Sequence, residues 1–385
     1  MTDIRSEAKV RVSRLRLTDF RNHAGLDLAF AGRSVVLVGH NGVGKTNVLE
    51  ALSLLAPGRG FRRATLNDMA RLGGSGGFSI AADIEGAFGP VRLGTGAVSG
   101  EPGRQLRING EAQRGSETLS DHLRLIWLTP SMDGLFVGSA GDRRRFLDRL
   151  VLTVDPGHGR RVAAYESAVT SRNRLLEDRN PDPAWLDAVE MEIAATGTAV
   201  AAARRETVHC LVRLIETRPD AGGAFPRALV ALSGDVDAAL DSAAAADVED
   251  WLRADLAAGR SRDRAAGRTL IGPHRSDLSV RHAVKDMPAA ACSTGEQKAL
   301  LTGLVLAQAA LVSELTGNPP VLLLDEVAAH LDGRRRRALF DLIAALGAQA
   351  FMTGTEAAPF EGLDGEAEII SLSEPEAAES RDFPA

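Results

Sequence analysis

Lysine is scarce in this chain: Lys9, Lys45, Lys285 and Lys298 are the only four among 45 basic residues, and the rest are arginines. Arginine beside abundant alanine and glycine fits a GC-rich coding sequence, so arginine identity alone marks no site. Cysteine is scarcer still. Cys210 and Cys292 stand 82 positions apart, which excludes a disulfide scaffold and any paired-cysteine metal or redox motif. Aromatic residues make up 4%, with one tyrosine and three scattered tryptophans, so no platform for stacking single-stranded bases is visible. The opening Met-Thr-Asp-Ile-Arg-Ser-Glu-Ala-Lys has no apolar core and is not expected to be a secretory signal. The longest nearly apolar stretch is read as Ile193–Ala203, far below the ~20 residues of a spanning helix. No membrane association and a cytoplasmic location are expected.

What is present is an ordinary globular composition, 44% hydrophobic and 25% charged over 385 residues, which sets a prior of two or three domains. The net charge of −6 is uneven. Nine acidic residues stand against one arginine from Glu356 to Ala385, a balance of −8 that leaves +2 for residues 1–355. An acidic tail therefore sets the net charge, and nucleic acid remains an open partner.

Alternating and then continuous apolar residues predict strands over residues 10–17, 26–30 and 34–38, followed by a Gly-rich loop and a helix at 47–55. Short strands are expected through 78–108, ending at Asn109-Gly110, a strong two-residue hairpin turn. Residues 123–128 read as another strand. From Asp142 to about Gly267 the pattern is helical, broken at Asn180-Pro181-Asp182-Pro183 and lacking long heptad runs. A Gly-Pro turn at 272–273 leads into short strands. Helix (295–315), strand (321–324), helix (334–346), strand (350–353) and a last strand (368–372) follow. The expected division is 1–150, 151–270 for the helical insert, and 271–385, with the acidic tail from about 356.

Gly39-His40-Asn41-Gly42-Val43-Gly44-Lys45-Thr46 fits the phosphate loop G-x-x-x-x-G-K-[ST] in its required strand-to-helix context. Glycines let backbone N–H groups face a β-phosphate, and the helix N-terminus adds partial positive charge. Lys45, expected to be solvated in the empty loop, would reach the β- and γ-phosphates of ATP, and the Thr46 hydroxyl would ligate Mg²⁺. Val321–Leu324 reads as a buried strand ending in two carboxylates. Asp325 would hold the Mg²⁺ and Glu326 would activate the attacking water. The loop and this pair lie about 280 residues apart and are expected to meet on adjacent parallel strands.

Ser293-Thr294-Gly295-Glu296-Gln297 opens the helix before that strand. Alone it reads as an N-cap, but in this position it resembles the signature of ABC-type ATPases. Ala329-His330-Leu331-Asp332 stands where those proteins carry the D-loop. The resemblance implies that Ser293 acts on ATP bound by a second molecule and that Asp332 belongs to the same composite site.

Four further segments narrow the choice: Leu17–His23, Asp142–Asp148, Tyr165 with Ser171-Arg172-Asn173, and Gly272-Pro273-His274-Arg275-Ser276-Asp277-Leu278. With the nucleotide motifs, they make residues 10 to about 360 resemble the bacterial RecF DNA replication and repair proteins. The implied fold is α/β, an ABC-type P-loop ATPase head of two lobes with an inserted, mainly helical arm. The implied activity is ATP-dependent dimerisation on double-stranded or gapped DNA, with RecO and RecR helping to load RecA, and a weak DNA-stimulated ATPase. The alternative is the ATP-binding subunit of an ABC membrane transporter. Against it stand the helical insert, Thr353-Gly354-Thr355 in place of a switch histidine, and the lack of a Q-loop glutamine near Thr129–Asp133. Ala329-His330 also departs from the usual D-loop serine.

Basic clusters are read mostly as solvated surface. Arg334–Arg337 point all round a helix, and Arg143–Arg145 are read the same way. Arg59, Arg62 and Arg63, on a loop opened by Gly58 and Gly60, are the candidates for DNA phosphate contacts. His274 reads as a turn histidine capping local backbone.

Overall fold

The computed structural model describes residues 10–373, apart from Arg33, residues 87–88, 218–222 and 364–366, and the side chains of Ala329 and His330. Residues 374–385 of the expected acidic tail lie outside the described residues. The chain divides into two compact units: residues up to Pro130 together with those from Asn318 onward, and Ser131–Gly317.

In the first unit, β1 (Arg11–Phe20) alternates inward Val12, Leu15, Leu17 and Phe20 with polar neighbours, as a half-buried strand should. It continues into β2 (His23–Ala29), and β3 (Ser34–Val38) is buried throughout. The helix α1 (Lys45–Ser53) follows, then a single-turn α2 (Leu66–Met69) closed by a Thr65–Asp68 capping box. The strands β4 (Phe78–Gly86), β5 (Gly89–Ala97), β6 (Gln105–Ile108) and β7 (Glu111–Ala112) complete an antiparallel sheet of order β2-β1-β4-β5-β6-β7. The β6–β7 hairpin turns at Asn109 and Gly110, both at positive φ, as the Asn-Gly pair predicts. A short β8 (Leu125–Leu128) closes this stretch.

The second unit begins with α3 (Ala140–Val154), α4 (His158–Glu177) and α5 (Pro183–Thr217). The break between α4 and α5 falls where two prolines predict it. The helical run does not persist to Gly267 unbroken. It is interrupted by β9 (Ala228–Ser233), which pairs antiparallel with β10 (Asp277–His282), whose other edge carries β11 (Met287–Pro288). Only partners 44 or more residues distant make β9 a strand, so its short Ala-Leu-Val-Ala-Leu pattern was open to a helical reading. Between them lie α6 (Asp235–Ser242), α7 (Ala245–Ala258) and α8 (Arg260–Ala266). Tyr165, Ile193, Ala194, Val200, Ala201, Leu252, Leu256 and Ile271 form one buried cluster.

The unit ends with α9 (Thr294–Thr316), which corrects the reading of Ile193–Ala203 as the longest nearly apolar stretch. By length and composition α9 could cross a membrane, but 67% of that stretch is buried within the protein. Its Leu300, Leu304, Leu311 and Val312 are core residues. The compact division thus falls at Pro130 and Gly317, because α3 and α9 both pack against α5.

The first unit resumes with β12 (Val321–Leu324), α10 (Gly333–Leu346), β13 (Ala350–Gly354) and β14 (Ala367–Ser371). With β3 and β8 they form a parallel sheet of order β14-β3-β13-β12-β8. Here one expectation fails: β3 and β12 are not adjacent. β13 lies between them, pairing Val36 with Met352 on one side and Met352 with Leu324 on the other. The interposed strand decides how the site is built.

Candidate nucleotide site

The phosphate loop leaves β3 at Gly39 and enters α1 at Lys45. Gly42 (φ 89°) and Gly44 (φ 104°) occupy the left-handed region that a Cβ disfavours. At Gly44 a side chain would also collide with His23 and Asn22. Asn22 lies in the turn joining β1 and β2, His23 opens β2, and both brace the loop from outside. Asn22 Nδ2 donates to Gly42 O at 3.3 Å and its Oδ1 accepts from Asn47 Nδ2 at 2.7 Å; His23 Nε2 donates to Gly44 O at 3.4 Å. Burial pushes the His23 pKa down, which keeps the ring neutral beside the loop.

One residue earlier, Arg21 grips Glu50 of α1 through Nε at 2.9 Å and Nη2 at 2.5 Å. Glu50 is 1% exposed, and its second cation is Arg62, at 2.9 Å. The candidate DNA arginines therefore separate. All three are exposed, but Arg62 is committed to Glu50 and to Asn47 Oδ1.

Lys45 is not solvated, contrary to expectation. It is 6% exposed, and Nζ donates to the carbonyls of Gly39 (2.5 Å) and His40 (2.8 Å) of its own loop. Burial lowers its pKa, and the nearby Glu326 and Asp325 carboxylates oppose that shift. The ammonium is thus folded back onto carbonyls of its own loop.

The carboxylate end of β12 meets the loop through hydroxyls. Thr46 donates to Asp325 Oδ1 at 3.0 Å, so the two expected magnesium ligands are already in contact. The same Oδ1 accepts from Thr353 Oγ1 at 2.8 Å, and Thr353 Oγ1 accepts from the Glu326 backbone N–H at 2.8 Å. Thr353 sits at the end of β13, the strand inserted between β3 and β12, and is 1% exposed. Glu326 has φ 52°, an uncommon conformation for a non-glycine residue. Its N–H bond to Thr353 holds it there. A threonine hydroxyl and one carboxylate suit Mg²⁺, a hard cation that keeps several of its waters. Sequence reasoning registered Thr353 only as a missing histidine, because its bridging role depends on strand order.

Ser293 and Asp332 appear in local capping roles. Ser293 is the exposed N-cap of α9, its N–H and hydroxyl donating to Glu296 Oε2 at 3.1 and 2.9 Å. Bonds from Lys285 and Ser293 hold the Glu296 carboxyl down to about 2. Asp332 caps α10, accepting from the Arg335 N–H at 2.9 Å.

In the second unit, most side chains of the remaining sequence segments make structural contacts. Arg143 is not a solvated surface arginine: it binds Asp277 bidentately at 2.7 Å. Arg144 Nη1 donates to Ser276 O at 2.7 Å. Arg172, wholly buried, is satisfied by Glu190, Asp263, Thr269 and Leu256 O, which is what makes a buried guanidinium tolerable. Arg334 and Arg337, by contrast, are exposed on α10 as expected.

A parallel sheet with a phosphate loop on one strand and an Asp-Glu pair two strands away, plus a helical insertion, defines an ATPase head of the type found in SMC proteins. The family model described as the RecF/RecN/SMC N terminal domain matches residues 11–374. The DNA replication and repair protein RecF of Mesorhizobium japonicum is 56% identical over 367 residues, covering 95% of this chain and 97% of that protein. RecF of Rhizobium etli is 55% identical over 368 residues, covering 95% and 98%. Among solved structures, the recombination mediator protein RecF-ATPrS superposes with a TM-score of 0.83 at 20% identity, covering 96% and 98% of the two chains. The Smc head domain from Pyrococcus furiosus superposes with a TM-score of 0.53 at 16% identity, covering 95% and 94%. The chain belongs to the RecF family of DNA replication and repair proteins.

Proposed function

We propose that this protein is an ATP-driven, DNA-binding switch of recombinational repair that works inside the cell. The observation that carries this reading is the convergence of the Thr46 and Thr353 hydroxyls on Asp325 Oδ1 beside the phosphate loop. In this reading residues 39–46 cradle the triphosphate, and Lys45 exchanges the Gly39 and His40 carbonyls for phosphate oxygens. Thr46 and Asp325 would hold Mg²⁺, which when bound supplies neutralisation of phosphate charge. Glu326 would accept a proton from the attacking water, its backbone fixed by Thr353.

Ser293 and Asp332 of one molecule would complete the site of another, so ATP would join two copies into a symmetric dimer. Residues 151–270 would form the arm, with 1–150 and 271–385 as the two parts of the head. Arg59 and Arg63 would meet double-stranded or gapped DNA. RecO and RecR would be the cooperating proteins in loading RecA, with hydrolysis resetting the complex. The likeness to recombination mediators supports this reading over the transporter alternative. The deciding experiment measures ATP turnover with and without gapped duplex DNA. Stimulation by DNA is expected, and a rate indifferent to DNA would overturn the reading.

A further inference from the structure

The segment Gly272–Leu278 takes no part in the nucleotide site, yet nearly all of it is tied down. The Arg275 N–H closes a turn on Gly272 O at 2.9 Å. Pro273 O accepts from Arg204 Nη1 at 2.7 Å. His274 is held at both nitrogens: Nδ1 accepts from the Tyr165 hydroxyl at 2.5 Å, and Nε2 donates to Thr269 O at 3.0 Å. The Ser276 hydroxyl donates to Asp237, its carbonyl accepts from Arg144, and Asp277 takes Arg143. Leu278 is core.

One side chain is left over. Arg275 is exposed, and its guanidinium makes no hydrogen bond or ion pair among the described residues. Arg144, anchored to the carbonyl just after it, uses Nη1 alone among the described residues, leaving Nε and Nη2 to donate. The neighbouring carboxylates are spoken for. Asp277 belongs to Arg143, Asp148 to Arg204 and His158, and Asp237 to Ser276.

We propose that Arg275, with Arg144 beside it, contacts a phosphodiester group of the DNA backbone. Planar forks of N–H donors suit phosphate oxygens, and a turn already fixed at each neighbouring residue loses little freedom on binding. Two adjacent cations whose neighbouring carboxylates are already paired with other groups also call for a ligand of repeated charge, and duplex DNA carries one per ~1.7 Å of axis. A single carboxylate on a protein partner would leave one cation unanswered. The assignment rests on the DNA-binding reading above and adds to Arg59 and Arg63 of the first unit a contact carried by the second.

The test titrates labelled gapped duplex, with a non-hydrolysable ATP analogue present, across a range of salt. Arg275→Ala should weaken binding about tenfold, the scale of one charge-assisted hydrogen-bonding group. It should also reduce the slope of log affinity against log salt by about 1. Arg275→Lys should restore the slope and only part of the affinity, and nucleotide affinity should stay parental. Arg114→Ala, which removes an exposed arginine of the first unit, should change neither quantity. Parental DNA affinity and slope in Arg275→Ala would overturn the assignment, including a case where dimerisation fails instead and the residue proves a protein contact. If the parent chain binds no DNA at all, both this contact and the DNA-binding reading fall, a result distinct from failure in the variant alone.

Discussion

The Thr353 hydroxyl donates to Asp325 Oδ1 at 2.8 Å and accepts the Glu326 N–H at 2.8 Å, so one side chain joins two consecutive carboxylate residues. The link exists because β13 lies between β3 and β12 and ends level with both. Neither the Asp325 carboxylate nor the Glu326 backbone can be repositioned without breaking a bond to this buried hydroxyl.

Thr353→Val keeps the shape and removes both bonds. Turnover of ATP is expected to fall by roughly 10- to 100-fold, the loss of a positioned base rather than of binding. Nucleotide affinity should change by less than about threefold, and Thr353→Ser should recover most of the rate. Equal losses in binding and turnover for Thr353→Val would show that the hydroxyl serves the nucleotide directly.

Glu326→Gln preserves size and hydrogen bonding but cannot accept a proton. Hydrolysis should drop by about 10²–10⁴, while ATP still binds and the DNA-bound dimer persists longer. Single-turnover measurement separates these steps, and a parental rate would remove Glu326 from the role of base.

Lys45→Ala should abolish measurable ATP affinity. It also leaves the Gly39 and His40 carbonyls without their present donor, so a melting-temperature loss equivalent to about 1–2 kcal/mol is expected alongside. Intact affinity in equilibrium dialysis would show that the ammonium never leaves those carbonyls.

Ser293→Arg should bind ATP but neither dimerise nor hydrolyse it. Mixed with Lys45→Ala it should regain part of the activity, because one composite site then pairs an intact loop with an intact N-cap. Full activity of Ser293→Arg as a monomer would mean the site is complete within one chain.

Acid sensitivity should centre on Asp148. Burial works to raise its pKa, but bonds from His158 and Arg204 outweigh burial and the pKa is lowered in the folded chain. A lowered carboxylate pKa stabilises the fold above its unfolded value near ~4, and that contribution disappears as pH falls through the folded value. Asp148→Asn should therefore flatten the loss of stability below about pH 4. At pH 7 it should cost about 3–5 kcal/mol, because Arg204 is left buried without its anion. Denaturant titrations at pH 3 to 7 measure both effects, and an unchanged acid limb would place the sensitivity elsewhere.

The elements nearest the nucleotide motifs were legible because their signals are local. β3, β12 and β13 each hold a short apolar run (residues 35–38, 321–324 and 350–352), and the Asn109-Gly110 turn carries its own backbone preference. Non-local facts were hidden. β9 becomes a strand only against β10, and the place of β13 depends on sheet order. The burial of Lys45 depends on the Gly39 and His40 carbonyls, which the folded loop turns toward its ammonium. Arg62 reads as a DNA contact and Arg143 as a surface charge because their carboxylate partners lie 12 and 134 residues away. Phe20–His23 carried a family resemblance without a task; the structure shows that it braces the phosphate loop.

The sharing of Glu50 between Arg21 and Arg62 has a mechanical side. Arg62 belongs to the loop that exposes Arg59 and Arg63, and Glu50 to the helix that begins at Lys45. Any pull on that loop strong enough to lift Arg62 away strips a carboxylate that is 1% exposed of one of its two cations. The loop and the helix are thus geared together: a load applied at Arg59 or Arg63 is felt one turn along from Thr46, and slack in either part must be taken up by the other.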